Sequence, residues 1–116
     1  MDSPLSTAEL AELEATLLPA LERHHLRLLA HGLRTLQAIA GREQGPPPDL
    51  EQIEAWALRQ PAIASDTPFV RTFASQLHAT GNQLSAIAID TGSTALALEL
   101  ADLSRWAQAQ ADARMR

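Results

Sequence analysis

The sequence has no cysteine, which excludes disulfides and thiolate chemistry and leaves redox compartment unreadable. Lysine and tyrosine are also absent, and the aromatic complement is two tryptophans and two phenylalanines. A chain with so few stacking rings, a net charge of -5 and dispersed arginines lacks the basic, aromatic surface that nucleic-acid binding needs. Nucleic acid is therefore not an expected partner. No apolar run approaches the roughly 18 residues of a membrane span. Met1-Asp2-Ser3-Pro4 has neither the basic segment nor the apolar stretch of a secretory signal. The expectation is a cytoplasmic chain with no membrane partner. Neither a phosphate-cradling glycine loop nor a Ser-x-x-Lys or Gly-x-Ser-x-Gly nucleophile setting occurs, so no catalytic residue and no cofactor is expected. Strand-favouring residues are scarce as well, which leaves helices.

What is present is alanine and leucine in quantity: 46% of the 116 residues are hydrophobic, enough for one core and too few residues for two ordinary domains. At about 100° per residue, Leu10, Leu13, Leu17, Leu18, Leu21, Leu28, Leu29, Leu33, Leu36 and Ile39 share one broad arc. An arc much wider than the usual apolar stripe needs cover on two sides, so a helix over 7–41 is expected to be central. Ser6 or Thr7 caps its start, Gly41 stops it, and Pro19 is read as a kink because the arc continues in phase across it. Arg42–Pro48, with its triple proline, is an extended strap. A short helix over 49–60 follows, capped by Asp49. A third covers 67–90, opened by Asp66 or Thr67 and Pro68, with a seam of Val70, Phe73, Leu77, Thr80, Leu84 and Ile87. Gly81 within it implies a close helix crossing. A last helix over 94–113 carries Leu96, Leu100, Leu103 and Ala107.

The reading is an all-α, four-helix bundle-like single domain over 1–116, with one long N-terminal helix and a short second one. A first helix of about 34 residues would reach roughly 50 Å, beyond what its partners cover, and homodimerisation is the natural remedy.

Four constellations bear on chemistry. Ala30-His31-Gly32-Leu33-Arg34-Thr35-Leu36-Gln37-Ala38-Ile39-Ala40-Gly41 resembles the phosphoacceptor box of sensor histidine kinases, and the resemblance implies His31 as phosphoacceptor with Arg34 and Thr35 in the box. The family's proline is missing, Gly32 stands where the family has an acidic residue, and no nucleotide-binding domain is present, so the surviving form of this reading is a phosphotransfer or kinase-docking bundle. Glu22-Arg23-His24-His25 contains a Glu-x-x-His spacing that resembles the ligand pair of ferritin-like bundles. The second pair such a site needs is absent; no metal is expected, and a metal- or small-ligand-binding bundle is the weakest alternative. An arginine from another helix, or His25, is expected to satisfy Glu22. Ala88-Ile89-Asp90-Thr91-Gly92-Ser93 resembles the Asp-Thr-Gly signature of aspartic proteases, yet it lies between helical patterns and reads as a connector. Trp56, Trp106 and His24 are candidate interaction anchors, though packing is the commoner role of such residues. The leading expectation is a non-enzymatic, regulatory or adaptor homodimer that binds another protein through a helical face.

Overall fold

The chain turns wherever its capping residues and prolines allow. The computed structural model describes residues 4–115; the reading of Met1–Ser3, and Arg116, lie outside it. Among the described residues there are five α-helices and no strand: α1 (Thr7–Glu14), α2 (Ala20–Ala40), α3 (Leu50–Leu58), α4 (Thr67–Thr91) and α5 (Leu100–Arg114).

The first helix of the sequence reading is two helices. Pro19 has no N–H, its ring would clash with the carbonyl of Ala15, and it pushes Leu18 out of helical conformation. The chain therefore leaves α1 at Ala15 and restarts after Pro19, whose ψ of 155° is extended. A turn replaces the expected kink. It folds α1 back along α2, as the Arg34–Glu9 and Arg27–Glu14 ion pairs show. Leu13 and Leu18, on either side of the turn, are both buried. The in-phase apolar arc reported that both segments face one core, which a continuous helix is not needed to satisfy.

The α2 helix is central, packing against every other helix. Leu26, Leu33 and Leu36 are wholly buried on it, and Gly41 closes it with a φ of 69°, a region glycine enters cheaply. Capping boxes start α1 (Ser6 with Glu9) and α3 (Asp49 with Gln52), and Asp66 caps α4 ahead of Pro68.

Two glycines set close approaches. A Cβ at Gly32 would lie 2.5 Å from Thr80 Cγ2, so α2 and α4 cross here. A Cβ at Gly81 would meet Pro47 Cβ at 3.1 Å, so the polyproline strap, rather than a helix crossing, needs that glycine most. The strap is tied down by Gly45, whose N–H donates to Thr94 Oγ1 at 2.9 Å and whose carbonyl accepts from Leu96 N–H at 3.1 Å.

The last helix starts later than expected. Gly92 ends α4 in the left-handed region at φ 72°, and Ala95–Ala97 forms one 3-10 turn before α5. Leu96, Leu98 and Leu100 are all buried. Between the 3-10 turn and α5 only Leu98 and Glu99, with ψ of 143° and 161°, are extended, and they carry the chain from that turn into α5. Asp90 and Thr91 are the last residues of α4 and Gly92 its C-cap, so the run expected as a connector is the end of a helix. Five helices in a globule of 45 × 26 × 25 Å replace the four-helix bundle.

Candidate functional site

Once α2 has buried Leu26, Leu29, Leu33, Leu36 and their neighbours, it has another face to show. Leu21, His24, Leu28, His31 and Thr35 follow one another at spacings of three, four, three and four, which on a helix is a single stripe. The sequence reading placed Leu17, Leu21 and Leu28 within the covered arc. They are 101%, 62% and 54% exposed: Leu17 lies in the turn between α1 and α2, and α2 has fewer neighbours than apolar flanks on which to bury Leu21 and Leu28.

The stripe opens onto two connected depressions. One, of about 650 Å³, lies between α2 and α5, where Leu21, His24, His25 and Leu28 face Trp106, Gln110 and Arg114, with Gln83 of α4 beside them. The other, of about 540 Å³, lies between α2 and α4, where Leu28, His31 and Thr35 face Phe73, Gln76 and Thr80. Leu28 belongs to both. Phe73 leads on to a smaller pocket of about 100 Å³ under Trp56, Ile63 and Phe69, in which Phe73 stacks on Trp56 (centroids 6.1 Å apart) and on Phe69 (6.2 Å). Three of the four aromatic rings thus gather at one end of the strip.

Apart from histidines, the titratable groups lining this strip are Glu22 and Arg114, and they neutralise each other. Arg114 Nε and Nη2 donate to the two carboxylate oxygens of Glu22 at 2.5 and 2.8 Å. The Arg114 hydrogen bond holds the Glu22 carboxyl below its ordinary pKa against the opposing effect of burial. The arginine expected from another helix is therefore Arg114, at the end of the alanine-rich tail. His25 packs edge-on to Trp106 with centroids 5.1 Å apart, and its Nε2 lies 3.3 Å from the side-chain nitrogen of Gln83. In a chain where 20% of residues are charged, such depletion is what the centre of a protein–protein interface looks like.

The candidates named from sequence are partly gathered here. Exposed His24 and half-buried Trp106 line the first depression, half-buried His31 the second, and half-buried Trp56 the third. Arg34 is not beside His31. It turns to the far flank, where its Nε and Nη2 donate to Glu9 Oε2 at 3.0 and 2.7 Å and its Nη1 donates to Gln37 Oε1 at 3.0 Å. Buried Gln37 passes the network on, donating to the Leu96 carbonyl at 2.8 Å. The Arg34 hydrogen bond, followed by that of the Ser6 N–H, lowers the Glu9 pKa. Thr35 spends its hydroxyl on the His31 carbonyl at 2.8 Å. Around Glu22 and His25, as elsewhere among the described residues, no three histidine, aspartate or glutamate side chains converge as a metal site would require. The sequence reading missed Phe69, Leu21 and Leu28 as site residues. The three-four spacing on α2 was the signal for the last two.

A helical domain that presents a charge-poor strip in this way has the make-up of a protein-binding module. Residues 5–114 match the family described as NDH complex assembly factor CRR9, and the chain belongs to that family. No match is found among curated proteins or among solved structures. Assembly factors act on other proteins, which fits the helical, protein-binding role expected from sequence. No helix of the described residues is long and apolar enough to cross a membrane.

Proposed function

We propose that this chain is a non-catalytic assembly factor for the NDH complex, an adaptor that holds one of the complex's subunits through the uncharged strip on α2. The family match over residues 5–114 carries the reading, and the neutral, partly apolar strip supplies the surface for it. Self-association was expected from a first helix too long for its partners to cover. The break at Pro19 removes that ground, and the working unit proposed here is one copy on one partner. The test is affinity capture of the tagged full chain from its native cell, with the NDH complex quantified in a deletion strain. Enrichment of an NDH subunit, together with loss of the assembled complex on deletion, supports the reading; a deletion strain with wild-type amounts of complex and no NDH subunit in the capture defeats it.

A further inference from the structure

We propose that Gln108–Arg114, about two turns at the end of α5, form a latch over the N-terminal end of α2, with the Glu22–Arg114 ion pair as its catch. Unlatched, the tail unwinds as far as Ala107 while the rest of the fold stays formed, and the depression between α2 and α5 loses its outer wall. The latch belongs to this chain alone and stands whether or not the strip holds an NDH subunit.

The α5 helix is held unevenly along its length. Its first half is pinned by buried Leu100, Leu103 and Ala107 and by Trp106, whose ring packs on His25. Beyond Ala107 only Ala111 is buried, and every other residue to Arg114 is exposed. One methyl adds little burial, and a helical run far below about 12–15 residues is not stable by itself. Gln108 donates to Asp112 at 3.0 Å, but both belong to the tail and move with it. Among the described residues, the one side-chain tie from the tail to another helix is the pair of bonds that Arg114 donates to the two oxygens of Glu22.

Charge makes the closure all or none. Glu22 is 6% exposed, a setting in which a carboxylate without a counter-ion is costly, whereas half of the Arg114 side chain is in water. The same tail both neutralises and covers Glu22. Lifting it hydrates the carboxylate in the step that removes its counter-ion, so no unpaired charge stays buried. The depression then offers two different surfaces. Closed, it is neutral, with Gln110 and Arg114 opposite Leu21, His24 and Leu28. Open, it runs out to solvent past Trp106 and carries one bare carboxylate at Glu22.

Hydrogen exchange of the full chain, read amide by amide in sub-denaturing urea, tests the latch. The tail amides should be protected relative to an unfolded peptide, yet exchange at least about tenfold faster than those of Leu33 and Leu36 in α2. Their rates should hardly change with urea, because unwinding about two turns exposes little surface, whereas the α2 rates should climb with it. Glu22→Gln and Arg114→Gln should each speed tail exchange about three- to tenfold. The double variant should do no more than either alone, and Arg114→Lys should recover part of the protection. Because the chain has no cysteine, Ala111→Cys supplies a lone thiol that is hidden while the latch is shut, and its labelling should rise by the same factor when Glu22→Gln is added. Far-UV circular dichroism confirms that each variant is folded. Tail amides with the rates and urea slope of α2 would show that the tail opens only with the whole fold. Tail amides without protection would show that there is no closed state, and rates unchanged in both single variants would take the catch away from Glu22 and Arg114. Any of the three overturns the proposal.

Discussion

Gly32 and Thr80 decide how near α2 and α4 come to each other. Gly32→Ala raises helix propensity by about 1 kcal/mol, yet its Cβ would sit 2.5 Å from Thr80 Cγ2. Thr80 is stiff at χ1, and rotating it would break the bond its hydroxyl donates to the Gln76 carbonyl at 3.0 Å. Overpacking of about 1–3 kcal/mol therefore outweighs the propensity gain. Urea unfolding should show Gly32→Ala to be less stable by about 1 kcal/mol, with stability recovered when Thr80→Ser removes the offending methyl. A stabilised single variant would mean that the contact is not what holds the glycine in place. The two depressed carboxylates give a second residue-level expectation. Arg34 and Arg114 hold the Glu9 and Glu22 carboxyls below the ordinary glutamate pKa, so near and below that ordinary value the unfolded chain binds more protons than the folded one. The stability they contribute is fully present at neutral pH and is lost as pH falls from about 5 through the native values. Urea midpoints of Glu22→Gln should lie below wild type at pH 7 and approach it in acid; a gap independent of pH would mean that Arg114 does not stabilise the charged form.

At the scale of elements, the sequence made its boundaries readable where a side chain or a glycine caps a helix end. Ser6, Asp49, Asp66 with Pro68, and Gly41 all sit where a cap or stop was expected, because capping is local chemistry. Continuity across Pro19 was not readable from phase, since two helices folded against one core keep the same apolar register as one rod. The late start of α5 was not readable from its leucines, because Leu96 is buried from a 3-10 turn, Leu98 from an extended step and Leu100 from the first turn of α5, and which backbone each adopts is set by packing at that end of the core. Of the site, the histidines and tryptophans stood out by type. Which leucines of α2 stay uncovered depended on where α1 and α5 dock, and that is tertiary information. Pro19 also allows a direct test. If the turn were held only by the proline, Pro19→Ala would fuse α1 and α2. The Glu9–Arg34 and Glu14–Arg27 pairs and buried Leu13 and Leu18 oppose that. Pro19→Ala should therefore lower stability by no more than about 1 kcal/mol, through the unfolded chain, with helix content unchanged by circular dichroism. A rise in helix content with a longer hydrodynamic shape would show the rod re-forming.

Across the whole molecule, the surfaces that hold the fold and the surface offered to a partner are different faces of the same helix. Leu33 is wholly buried on α2, whereas Leu28, five residues earlier, is 54% exposed. Truncating Leu33 to alanine removes methyl groups from a packed core and should cost about 2–5 kcal/mol, against a total of only about 5–15 kcal/mol for a typical domain. Any loss of partner binding in Leu33→Ala should then track the fraction unfolded and disappear on cooling or at a lower denaturant concentration. Leu28→Asp should behave in the opposite way. Its side chain is largely in water already, so stability should change by no more than about 0.5 kcal/mol, while an uncompensated carboxylate at the point where both depressions meet should abolish partner recovery at every temperature at which the chain is folded. Measuring unfolding midpoints and partner recovery on the same preparations separates the two. If Leu28→Asp unfolds the chain as Leu33→Ala does, α2 has no free face. If it stays folded and still binds, the partner sits elsewhere.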